Sequence, residues 1–89
     1  MNKAETELVG MVVMCNVAFS PARDHKTGIV TIQTEDNEYH VLDVDDYTEM
    51  AECAEGDYVR ATATRSQDSR TWIAHKITRL NTTGLLDVP

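Results

Sequence analysis

No lysine or arginine occurs between Glu35 and Asp57, a stretch that holds ten of the chain's fifteen carboxylates. The other five carboxylates share the rest of the chain with all eight lysines and arginines, so a local balance of +3 is hidden inside a net charge of −7. Net charge is therefore a poor guide to any one face. Cysteine is also scarce: there are two, Cys15 in an apolar run and Cys53 in an acidic segment, with no CxxC pair. That argues against a disulfide framework and leaves two reduced thiols as the expectation. The N-terminal stretch MNKAETEL lacks the apolar centre of a signal peptide, and no window approaches the roughly 20 apolar residues of a membrane span. A cytoplasmic protein with no membrane partner is expected.

Most catalytic signatures are missing as well. There is no glycine-rich phosphate loop and no nucleophile elbow, which removes the commonest nucleotide and acyl-transfer sites. His25, His40, His75 and the two cysteines do not stand at zinc-ligand spacing. The run DVDD fails as a calcium loop, because Tyr47, Thr48 and Ala54 occupy positions that need an oxygen ligand, a glycine and a glutamate. A chain of 89 residues whose interior is filled by side chains leaves little room for a substrate pocket. The expectation is a protein that is not an enzyme and takes no cofactor.

What remains is one small domain, residues 1–89, with a core from about 7 to 80 and a loosely packed tail from 81 to 89. With 42% hydrophobic and 26% charged residues, the composition is that of a globular fold. From Glu7 to Phe19, every odd position from Val9 onward is apolar, which predicts a long strand with those residues on one face. Gly10 inside it predicts a bend. SPARDHKTG, residues 20–28, reads as a loop, followed by strands in IVTIQT and YHVLDV. In the latter, His40, Leu42 and Val44 share one face, and Tyr39, Val41 and Asp43 share an outer one.

Between Asp45 and Gly56 the period changes. Tyr47, Met50, Ala51 and Ala54 fall on one helical stripe, Asp46 and Glu49 suit a capping box, and Gly56 suits the C′ position. A short helix is predicted there. Two further strands follow, YVRATAT with Val59, Ala61 and Ala63 inward, and TWIAHKITRL, joined by a polar hairpin loop. The predicted fold class is all-β with one short helix, in the order β-β-β-α-β-β.

That order is the order of the five-stranded Greek-key barrel called the OB-fold. Three segments carry a resemblance to nucleic-acid-binding OB-folds of the anticodon-binding and single-strand-binding type: VGMVV in the first strand, GDYVRATA in the fourth, and Trp72, Ala74, Ile77 and Leu80 in the fifth. Ala63 stands where many relatives have glycine. The resemblance implies a ligand face on strands two and three, flanked by the loops at 20–27 and 65–70. It implies single-stranded DNA or RNA as partner, with phosphate contacts from Arg23, Lys26, Arg60, Arg65 and Arg70 and base stacking on Tyr39 and Trp72. Trp72 also fits a core position, and Tyr58 and His75 are weaker stacking candidates. The alternative is a protein-interaction module that uses its acidic helix, with Glu49, Glu52 and Glu55, or an exposed strand edge.

Overall fold

The computed structural model describes residues 5–20, 25–50, 52–66 and 71–80. Its strands are β1 (Thr6–Ser20), β2 (His25–Thr34), β3 (Tyr39–Val44), β4 (Glu49–Met50), β5 (Tyr58–Arg65) and β6 (Trp72–Leu80). β1 pairs antiparallel with β2 and with β5, β2 with β3, and β5 with β6. A parallel pairing of β3 with β6 joins the two ends of this series into a closed barrel of five strands. The two-residue β4 runs parallel to β6 beside that closure.

Closure depends on how β1 bends. Gly10 takes part in both of its pairings, opposite Thr34 of β2 and Val59 of β5. A Cβ at this position would run into the backbone carbonyl of Gln33, so only glycine lets the strands approach this closely. Beyond it the register with β2 shifts between Val12 and Met14. Val13 is thus one residue too many for its partner, a β-bulge. The bulge exchanges the two faces of the strand: Leu8 and Val12 pack inward before it, Cys15 and Val17 after it. The expected single face of odd positions is therefore wrong. Val9 and Phe19 are 43% and 47% exposed.

The barrel interior is filled by Val30 and Ile32 of β2, Leu42 and Val44 of β3, Val59, Ala61 and Ala63 of β5, and Trp72, Ala74 and Ile77 of β6. Each large aliphatic side chain taken out of water here contributes about 1.5–3 kcal/mol. The alanines let β5 lie close against its neighbours. Trp72 is a core residue, 8% exposed, as one of its two expected roles required. Residues 25–28 belong to β2, so the expected loop at 20–28 shrinks toward residues 21–24, which lie outside the described residues, as does the tail at 81–89.

The predicted helix is absent among the described residues of 45–56. Asp45 begins a turn: its carboxylate accepts from the Tyr47 amide at 2.9 Å and its carbonyl from the Thr48 amide at 3.0 Å. The chain then extends, because Thr48 is buried and its hydroxyl donates to the carbonyl of Ala74 at 2.7 Å. Ala74 lies on β6 between the residues paired with β3 and those paired with β4. The Thr48 side chain thus bridges a gap in the sheet that a helix would leave open. The expected capping residue, Asp46, bonds instead to the Lys26 amide at 2.9 Å and to His25. Tyr47, meant for the buried stripe, is 89% exposed. Met50 does pack against the core, while Ala51 is outside the described residues. Gly56 takes φ 97° as predicted, but in a turn before β5 rather than at a helix end.

Candidate functional site

Residues paired across antiparallel strands share a face, and the registers lay out the barrel's outer surface row by row. One row runs Tyr39, Gln33, Met11 and Tyr58, on β3, β2, β1 and β5. At strand spacings of about 4.8 Å, its ends lie roughly 14 Å apart. Tyr39 is 63% and Tyr58 42% exposed, so both ends of the row offer an aromatic face. Beside Tyr58 lies a groove of about 460 Å³, lined also by Val9, Gly10 and Met11. Its rim is the side chains of Gln33, Thr34, Glu35 and Asn37.

The β2–β3 hairpin shapes the rim. Asn37 adopts φ 65° and its amide donates to the Thr34 carbonyl at 2.9 Å, a left-handed position that asparagine tolerates. Its side-chain oxygen accepts from the Gln33 amide at 3.3 Å. The Thr34 hydroxyl donates to the Asp36 carboxylate. That bond holds Asp36 below its ordinary carboxylate value.

Arg60 borders the groove, since it is paired with Val9 and stands two residues from Tyr58 on the same face of β5. Its Nε is 3.4 Å from Glu7. The other expected site residues are dispersed. Lys26 sits on β2 beyond the barrel wall, where its backbone rather than its ammonium group binds Asp46. Arg65 and Trp72 pack on each other instead, with the guanidinium 5.0 Å from the ring centroid. His40 stands edge-on to the same ring at 6.0 Å, so Trp72 presents no free face for a base. Arg23 and Arg70 lie outside the described residues.

The acidic block does not gather on one side. The hairpin places Glu35, Asp36 and Glu38 around the barrel mouth that also holds Glu7, His40 and Trp72. Residues 45–57 carry their carboxylates to the other end of β3, and Asp43 stands between on the outer face, accepting from the Thr71 hydroxyl at 3.2 Å. Among the described residues, no cluster of three or more His, Cys, Asp or Glu could hold a metal ion. Tyr58 was undervalued in the sequence because its partners depend on β1's register. The Gly10 signal was legible, but the cavity above it was not.

Comparison with protein-family models, with curated proteins and with solved structures finds no match to this chain.

Proposed function

We propose that the protein is a non-catalytic binding module, and that it lays a short segment of single-stranded nucleic acid across the row from Tyr39 to Tyr58. The five-stranded barrel is compatible with an OB-like barrel, and nucleic-acid binding is the function that resemblance implies. The observation that carries the reading is the pair of exposed tyrosines at the two ends of one cross-strand row, with a groove beside Tyr58. Bases stack on aromatic faces without regard to sequence. The Gln33 and Asn37 amides supply donors and acceptors for base edges. Arg60 takes a phosphate by exchanging its partner Glu7. The site is narrower and less basic than the sequence implied, which predicts weak binding with a shallow salt dependence.

The test is fluorescence anisotropy of short labelled DNA and RNA strands at low and moderate salt. Tyr39→Ala and Tyr58→Ala each weaken binding by about 1–3 kcal/mol, the usual worth of one stacked base. Arg60→Glu weakens it further and flattens the salt dependence by about 0.7 for the one phosphate lost. Absence of binding at low salt, or indifference to both tyrosine changes, rejects the reading. A second reading, a module for a basic protein partner, is favoured by the carboxylates at the barrel mouth and by exposed Glu49, Glu52 and Glu55. Pull-down that fails when those glutamates become glutamines would support it.

A further inference from the structure

The binding row uses neither cysteine, yet Cys15 and Cys53 are both free, half-buried and packed against the same core. The two thiols are side-chain hydrogen-bonding neighbours, and the fold brings them together. The Gly56 amide donates to the Val12 carbonyl and the Val12 amide to the Asp57 carbonyl, each at 2.8 Å, which straps residues 52–57 against β1 just before its bulge. The bulge then turns Cys15 inward instead of outward. Without Val13 as the extra residue, Cys15 would face solvent and Cys53 would have no sulfur neighbour. The Cys53 side is reachable: Glu52, Cys53, Ala54, Asp57 and Arg79 line a shallow hollow on the surface.

We infer that Cys15 and Cys53 form a reversible modification site, an intrachain disulfide made by exchange with a small-molecule disulfide of the glutathione type. One protein thiolate attacks a sulfur of the small disulfide, breaking its S–S bond and releasing one small thiolate. The second protein thiol loses its proton to solvent and its sulfur displaces the remaining small thiol from the mixed disulfide. One S–S bond is exchanged for another, two electrons pass to the small disulfide, and the two protons end on its two thiols. Burial, and after it the neighbouring Cys15 thiol, push the Cys53 thiol up to about 11. The exchange is therefore slow at neutral pH and quickens as pH rises, since only the thiolate attacks. The product links the 52–57 strap covalently to β1.

The full chain is incubated with oxidised glutathione, quenched in acid, and read by intact mass and peptide mapping. The expected product is a monomer lighter by two hydrogens, with the peptides bearing Cys15 and Cys53 linked and the melting temperature raised until dithiothreitol is added. Cys15→Ser and Cys53→Ser each give only a glutathione adduct at the remaining cysteine. Two adducts on one wild-type chain without a link, or disulfides only between chains, would overturn the inference. The wild-type map decides this even where a serine variant fails to fold.

Discussion

At the scale of single residues, Thr48 shows how one hydroxyl can decide the path of a segment. It is 1% exposed, accepts from the Asp45 amide at 3.1 Å and donates to the Ala74 carbonyl at 2.7 Å. Thr48→Val keeps the shape and leaves both backbone groups without a partner. A buried group stranded in this way costs about 1–3 kcal/mol, so chemical denaturation should show a loss of that size with an unchanged denaturant slope. Cys53 gives a second residue-level expectation. Its folded pKa of about 11 lies above the ordinary 9.0. Between these values the unfolded chain has released the proton that the folded chain still holds. Its contribution is whole below pH 9 and is lost as pH rises through 11. Denaturation across that window should show a steeper alkaline decline in the wild type than in Cys53→Ala. Equal slopes would mean that the thiol is not so perturbed.

Among the elements, what was legible in the sequence and what was not divides by the kind of signal. β2, β3 and β5 show period two with nothing inserted, and Val30, Ile32, Leu42, Val59 and Ala61 are buried as that period requires. β1 has the same alternation, but the bulge at Val13 breaks its phase through pairing with β2, which is not local. The segment at 45–56 has a helical stripe and a good cap. Parallel pairing of Glu49 and Met50 with Lys76 and Ile77, together with the Thr48 bridge, outweighs them. Part of the candidate site was legible too: Tyr39 from the face of β3, Arg60 from the face of β5. Their connection through Gln33, Met11 and Tyr58 needed the register. Two glycines separate the causes of backbone preference at this scale. Gly10→Ala places a methyl against the Gln33 backbone and should cost about 1–3 kcal/mol through overpacking, with β1 and β2 forced apart and the binding row disrupted. Gly56→Ala meets open space but sits at φ 97°, so it should cost only about 1–2 kcal/mol of backbone strain and leave ligand binding unchanged. Urea denaturation of both variants, with the oligonucleotide titration alongside, distinguishes the two.

For the whole molecule, the distribution of charge matters more than its sum. Acidic groups occupy both ends of the barrel and one of them, Glu35, lines the groove itself. Arg60 is the one described cation beside that groove, and it is already paired with Glu7. A nucleic-acid ligand would therefore bind against a local field of its own sign, whereas a basic protein partner would be drawn by it. Glu35→Gln tests this with opposite signs for the two readings. Glu35 is exposed, so the change should leave stability within about 0.5 kcal/mol. Removing one like charge near the phosphates should tighten oligonucleotide binding at low salt, and the gain should fade as salt screens it over a Debye length of about 8–10 Å. If the ligand is a basic protein, the same substitution removes an attractive charge and binding weakens instead. A tighter oligonucleotide complex in Glu35→Gln, lost again in Glu35→Gln combined with Tyr58→Ala, would locate the strand in the groove above Gly10. Affinity unchanged by Glu35→Gln would mean that the strand does not pass through it.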